Sequence, residues 1–450
     1  MNSDIVRVGK EILDQYKNDP SPRPWIIAFS GGKDSTVLLQ LVWNAVKKLK
    51  PKSRNREIHI VCNNTLVENP TILSYVKTQL RLIEEEAIKQ SMPITVTHTI
   101  PSLNDTFWVN LIGRGYVAPN IKFRWCTERL KIKPTTKYIQ DEVSLYGEAI
   151  ILLGSRRAES SSRAGSIKRH ENKGRRLSKH NLPGAYVYSP IKDLPTQDIW
   201  LYLSLNESPW NSNNHDLVHL YKNASDNKDC PLITDKSTPP CGMSRFGCWV
   251  CTVTSSDNTM EGLISTGESW MKPLLEFRNM LAKTIDRKNP DYDPHIYRMP
   301  VRRNYQEGIG PYWPKWRKNI LQRLLETEAE IRKTQPKIRL ISSQELVTIQ
   351  VIWERDFIYE YNVADICNQV NGRSEEFRDI SINVRRENQL LRESCNDNEA
   401  DYELINTLLR TQKNRPILAS KKGLQSDMEH LLEEYLYPTF TDVYRESNNK

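Results

Sequence analysis

Short apolar runs alternate along this chain with segments whose apolar residues recur at helical spacing. Trp25–Phe29 (WIIAF) is an unbroken apolar run suited to a buried parallel strand, and Leu38, Leu41, Val42 and Ala45 then fall on one helix face. Glu57–Cys62 (EIHIVC) alternates as a second strand, Pro70–Gln90 reads as a helix, and Ile94–Thr99 (ITVTHT) as a third strand. Thr135–Leu145 predicts another helix and Ala149–Leu153 (AIILL) a fourth strand. The alternation predicts an α/β fold, a parallel sheet flanked by helices, with ligands gathered at the carboxyl ends of the strands. Lys315–Thr334 is an amphipathic helix pattern. Beyond Pro336, a Ser342–Glu345 capping box opens a second one through Trp353, so the C-terminal region is expected to be mainly helical. Asn371–Asn398 is polar enough to read as a linker or exposed loop.

Polar sequence at three of those strand ends supplies the candidate chemistry. After the first strand comes Ser30-Gly31-Gly32-Lys33-Asp34-Ser35. Gly31 and Gly32 lack a Cβ, so their backbone N–H groups can approach an anion closely, while Ser35 and Thr36 begin the helix whose positive end faces it. Lys33 adds a mobile cation. Asp34 follows Lys33 directly, which is not the pattern of a Walker A loop. Asn63, Asn64 and Thr65 follow the second strand, and Gly154, Ser155, Arg156 and Arg157 through Arg163 follow the fourth.

At 450 residues the chain has room for two or three domains: an α/β nucleotide domain over 1–215, a Cys-rich segment over 216–300 and a helical accessory region over 301–450. No run approaches the roughly 20 apolar residues that cross a bilayer, and Met1–Pro20 lacks a signal-peptide core, so no membrane partner and a cytoplasmic location are expected. The net charge of +9 is unevenly spread. Ser166–His180 carries Lys168, Arg169, Lys173, Arg175, Arg176 and Lys179 against the single acid Glu171. By charge alone it is a solvated loop or a nucleic-acid contact. Tyr312, Trp313 and Trp316, interleaved with Lys315, Arg317 and Lys318, are assigned to packing rather than to base stacking.

The chain has eight cysteines, and in a reducing compartment their clustering matters more than their parity. Cys230, Cys241, Cys248 and Cys251 share one Pro- and Gly-punctuated segment, a four-thiolate set that fits either tetrahedral zinc or a 4Fe-4S cluster by spacing. Cys126 stands apart in FRWCTERLK, where Arg124, Arg129 and Lys131 are expected to lower its pKa and make it a nucleophile or persulfide carrier. Cys62, Cys367 and Cys395 read as inert thiols.

The SGGKDS loop resembles the PP-loop of the ATP pyrophosphatases. The Gly154–Arg163 stretch is similar to the Gly-x-Arg-x-x-Glu-Ser…Arg element of the PAPS reductase branch, and Ser189–Asn211 resembles that branch's Trp-Thr-x-x-Asp-Val-Trp element. Leu194-Pro195 replaces the usual Trp there, and Thr196 is expected to cap the helix carrying Asp198, Ile199 and Trp200. With CGMSRFGCWVCTV added, the chain resembles the DndC family, the ATP-dependent sulfurtransferases of bacterial DNA phosphorothioation. That resemblance implies ATP, Mg2+ and a 4Fe-4S cluster on Cys230, Cys241, Cys248 and Cys251. It implies that Ser30–Ser35 hold the pyrophosphate, Lys33 screens charge, and Asp34 serves magnesium or orients the loop. Asn63 and Thr65 would bind adenine or ribose. Gly154, Arg156, Arg157 and Arg163 would face the α-phosphate or a DNA phosphate, with Lys168–Lys179 tracking the duplex, and Cys126 would handle sulfur. The implied partners are DNA, a cysteine desulfurase, an ATPase and a small DNA-binding protein. Three other readings are a tRNA thiolase, a sulfonucleotide reductase and a DNA-binding subunit that only senses ATP. Against the reductase stands the tail, which lacks that group's Glu-Cys-Gly-Leu-His type segment.

Overall fold

Six strands form one sheet in the order β3-β2-β1-β4-β6-β5. They are β1 (Trp25–Ala28), β2 (Ile58–Asn63), β3 (Ile94–Thr99), β4 (Ala149–Leu152), β5 (Leu177–Lys179) and β6 (Ala185–Tyr188). All pair in parallel except β5, which closes one edge antiparallel to β6. The central strand β1 is flanked on both sides, with Trp25 level with Ile58 and Ile150, which is why its sequence is apolar without alternation. The computed structural model describes residues 3–170, 175–223, 247–290, 292–303, 306–371, 381–396 and 398–414.

Three early helices over one face build the main core with the later helices Thr196–Leu205 and Asn214–Asn223. α1 (Ser3–Asn18) buries Ile5, Val8, Ile12 and Tyr16. α2 (Lys33–Lys47) is buried along most of its length from Ser35 onward, consistent with a helix held between sheet and neighbours. α3 (Pro70–Lys89) starts with Pro70 and is capped by Asn69, whose side-chain oxygen accepts from the Thr71 and Ile72 N–H groups. On the other face Ile26, Val61 and Ile151 pack with Ile139 of the helix Lys133–Tyr146.

The four strands expected from apolar runs are present, and so is the α/β architecture. The basic run 166–180 departs from its expected loop: the helix Ser161–His170 and edge strand β5 occupy much of it. The stretch expected as a linker holds the helix Ser381–Ser394. The capping box forms as predicted, with Ser342 N donating to Glu345 Oε2 at 3.0 Å and Glu345 N to Ser342 Oγ at 3.3 Å. Tyr312 is fully buried and packs as expected; the indole N–H groups of Trp313 and Trp316 donate to the His295 and Ile296 carbonyls, with Trp316 half-buried and Trp313 exposed.

The chain divides into two compact units, Met1–Ile349 and Gln350–Lys450. The second contains the helices Val363–Asn371, Ser381–Ser394 and Glu399–Asn414, and its Cys367 and Cys395 are buried. Among the described residues no helix is long and apolar enough to cross a membrane.

Candidate functional site

The loop between β1 and α2 is shaped by its own residues. Gly31 has φ +72°, a left-handed conformation, and a Cβ there would stand 2.5 Å from Val76 Cγ2 of α3. Ser35 Oγ donates to the Gly32 carbonyl at 3.0 Å and accepts from the Ser30 N–H at 3.3 Å, tying the loop across its mouth. Thr36, in the first helical turn, keeps a buried hydroxyl with no partner among the described residues. The glycine conformation, helix start and spare hydroxyl fit a phosphate group. Gly31→Ala is expected to cost about 1–3 kcal/mol through the positive φ and the Val76 clash, read as a lower urea midpoint with unchanged slope.

Behind the loop lies a charged brace. Arg156, 1% exposed, donates through Nε to Asp34 Oδ1 at 2.7 Å and through Nη1 to the Leu194 carbonyl at 2.9 Å and Thr196 Oγ1 at 3.2 Å. Arg156 was expected to face a phosphate, but its guanidinium spends these donors on Asp34 and backbone. Thr196 likewise receives the arginine instead of capping its helix, whose N-cap position is Pro195 with no side-chain bond. Asp34 is shared with Lys33, whose Nζ lies 3.3 Å from Oδ2, so its carboxylate bridges the loop lysine and the buried arginine. The Lys33 ammonium also stands 5.3 Å from the ring centroid of Tyr221. Gly154 packs against this loop: a Cβ on it would meet the Asp34 carbonyl and the Ser35 nitrogen at 3.1 Å. Sequence reading missed Tyr221, because no local pattern ties it to Lys33.

The remaining strand-end residues separate into two groups. Arg157 Nε donates to Asp193 Oδ1 at 2.8 Å, and exposed Arg163 lies 3.2 Å from Ser155 Oγ and 3.4 Å from Glu159 Oε2. Asn63 Oδ1 accepts from Thr99 and, at 2.9 Å, from Thr135 Oγ1, fixing the end of β2. Fully buried Thr65 donates to Glu68 Oε1 at 2.9 Å and lies 3.3 Å from Cys248 Sγ, so it faces the cysteines.

Those cysteines meet the nucleotide half of the molecule through backbone bonds. Glu68 and Cys248 form an isolated antiparallel bridge, Trp249 N donates to the Val67 carbonyl at 3.1 Å and Asn69 N to the Gly247 carbonyl at 3.2 Å. Cys251 N donates to the Cys248 carbonyl at 3.1 Å, so the Cys-x-x-Cys pair sits on one turn. Arg278, 1% exposed, holds that turn by donating to the carbonyls of Cys251 at 2.9 Å, Ser255 at 3.0 Å and Thr254. Cys230 and Cys241 lie outside the described residues. Among the described residues no three His, Cys, Asp or Glu side chains are arranged to hold a metal ion.

Cys126 belongs to this neighbourhood, but its chemistry differs from the expectation. Burial pushes its thiol above the ordinary value and the nearby Cys251 adds to the shift, while Thr127 and Lys131 pull the other way and are outweighed. The missing help is explained by Arg129, which is spent on Asp105 and on Tyr116 OH at 3.1 Å. Burial works against the Lys131 ammonium, yet Cys248, Glu68, Cys126 and Cys251 together raise it above its usual range. Lys131, whose Nζ lies 4.0 Å from Glu68 Oε1, is thus shared between that carboxylate and the cysteines. Cys62 is buried and pushed up to about 12, in keeping with an inert thiol.

The family model of the phosphoadenosine phosphosulfate reductase domain matches residues 24–254. The chain belongs to that family. Its phosphoadenosine phosphosulfate reductase domain therefore runs from β1 to just past Cys251 and includes the loop, the Arg156 brace and the described cysteines. An uncharacterized protein of Methanocaldococcus jannaschii is 25% identical over 262 residues, 55% of this chain and 42% of that protein, so the match spans less than half of the relative. Among solved structures, the phosphoadenylyl-sulfate reductase of Candida auris in a phosphate complex is 13% identical, covering 47% of this chain and 90% of its own, with a TM-score of 0.29. The U34-tRNA thiolase NcsA of Methanococcus maripaludis with its [4Fe-4S] cluster is 13% identical over 64% of this chain and 81% of its own, with a TM-score of 0.26. Overlaps of that size carry no argument about what the domain does.

Proposed function

We propose that this protein is an ATP-dependent sulfurtransferase of DNA phosphorothioation, of the DndC type. The observation that carries the reading is the meeting of Cys126 with Cys248, Cys251 and Lys131 beside the strand end next to the nucleotide loop. A non-bridging oxygen of a DNA phosphodiester attacks the α-phosphorus of ATP, pyrophosphate leaves, and the oxygen now carries AMP as a leaving group. The terminal sulfur of a Cys126 persulfide, loaded by a cysteine desulfurase, attacks the DNA phosphorus and expels AMP with that oxygen. Cleavage of the remaining sulfur–sulfur bond takes two electrons from an external dithiol and releases the phosphorothioate. Lys33 neutralises charge between the two anions, as does magnesium carried on the phosphates of ATP. The thiolate chemistry of Cys248 and Cys251, with Cys230 and Cys241, suits a 4Fe-4S cluster, which would supply sulfur binding or electron relay there. An ATPase and a small DNA-binding protein complete the system in this proposal.

Purified protein with ATP and duplex DNA should release pyrophosphate, with Lys33→Ala lowering the rate by about 100-fold or more. Nuclease digests from cells with the gene should contain phosphorothioate dinucleotides that cells without it lack. Sulfur in tRNA bases and none in DNA backbone would overturn the acceptor. The family match favours one competing reading, reduction of an adenylated sulfate. Sulfite release from that substrate with thioredoxin would establish it instead.

A further inference from the structure

At the sheet edge far from the cysteine turn, α1 and β5 leave a cavity of about 460 Å3 lined by Gln15, Arg175, Arg176, Leu177, Lys179 and Tyr186. Its lining contains three cations and no acid. The carboxylates around it are already engaged. Asp14 holds Arg176 and Asn18, Asp19 holds Arg23, and Glu148 accepts from Tyr186 OH at 2.9 Å and Arg23 Nη1 at 3.1 Å. Among the described residues neither Arg175 nor Lys179 has a carboxylate partner, and both are exposed. Arg175 and Lys179 thus stand beside the paired Arg176 without counter-charge of their own, and an arriving anion relieves their repulsion.

The register gives the cavity a direction. Because β5 runs antiparallel to the rest, its first residue, Leu177, stands opposite Tyr188, which is level with Leu152 and Ile27 near the carboxyl ends of the parallel strands. Arg176 and Arg175 precede Leu177, so they continue toward the edge from which the nucleotide loop emerges, while Lys179 faces Tyr186 further back. Three strand spacings separate β5 from β1, roughly 15 Å. A line of cations along an edge strand suits an extended polyanion better than a compact one, and Arg, Lys and Tyr at such positions grip phosphate without reading bases.

We infer that this groove binds the phosphodiester backbone of a nucleic acid and leads it toward the loop; the inference rests on the proposed use of a backbone phosphate as acceptor. The test is fluorescence anisotropy of a labelled 30-base-pair DNA duplex with the full-length protein across a salt series. The double substitution Arg175→Glu and Lys179→Glu should weaken binding at least tenfold and reduce the log–log salt slope by about two. Lys89→Glu, an exposed charge change on α3, should leave both unchanged. If the charge reversals impair folding, Arg175→Gln with Lys179→Gln should give the same trend at about half the size. Unchanged affinity and slope in the folded variants would overturn the inference. Displacement of the duplex by inorganic phosphate at constant ionic strength would assign the groove to a free anion and overturn it as well. A folded RNA run in parallel identifies the source of the backbone. Groove-dependent binding without any phosphorothioate in cells would sink the proposed function while leaving the groove standing.

Discussion

Replacing Arg156 with alanine is expected to lower the free energy of unfolding by about 3–5 kcal/mol and to remove pyrophosphate release with it. The side chain is 1% exposed, and its loss takes the nearer cation from the half-buried Asp34 carboxylate and the donor from the Leu194 carbonyl and the Thr196 hydroxyl. Asp34 keeps Lys33 at 3.3 Å, so most of the cost is a carboxylate with one cation in place of two and the uncovered Leu194 and Thr196 acceptors, rather than the worth of the pair. The double variant Arg156→Ala with Asp34→Ala should therefore be more stable than Arg156→Ala alone, a coupling that urea denaturation of the four members of the cycle can measure. Additive losses would mean that the two residues do not act together. Activity should not return in the double variant, since Asp34 also holds Lys33 at 3.3 Å.

Cys126→Ser is expected to abolish sulfur incorporation and to let the adenylated acceptor accumulate, visible as an oligonucleotide heavier by AMP. Serine occupies nearly the same volume in this half-buried position, so the thermal midpoint should stay within a few degrees. The pH dependence carries a sign. Burial holds the Cys126 thiol above its usual value, so at neutral pH less of it is thiolate than in a free cysteine. Alkylation of Cys126 should accordingly keep rising with pH past the ordinary thiol range. A plateau below that range would mean that Lys131 outweighs burial.

The sheet was readable because β1, β2, β3 and β4 announce themselves as apolar runs between helices of regular period. β5 and β6 were not: β5 is the three-residue edge strand Leu177–Lys179 inside a basic run, and β6 (Ala185–Tyr188, AYVY) carries two tyrosines where β4 is wholly aliphatic. The SGGKDS loop was legible for a local reason: a strand, two glycines and a helix start lie within a dozen residues. Its brace was not, because Arg156 and Asp34 are 122 positions apart and nothing in either neighbourhood names the other. The same limit explains Cys126. Sequence counts Arg129 as a nearby cation, whereas the fold commits it to Asp105 and leaves Lys131 to face the thiols.

The brace also sets a clock on synthesis. A ribosome that has just completed SGGKDS must still add the chain through Thr196 before Asp34 can meet Arg156 in its final setting, which at 5–20 residues per second takes roughly 10–30 s. During that interval the loop exists as sequence without its anchor, and α2 carries an uncommitted carboxylate at its first turn. If the loop captures a nucleotide as proposed, that capture waits for the chain through Thr196, long after the residues that make the loop recognisable have been added.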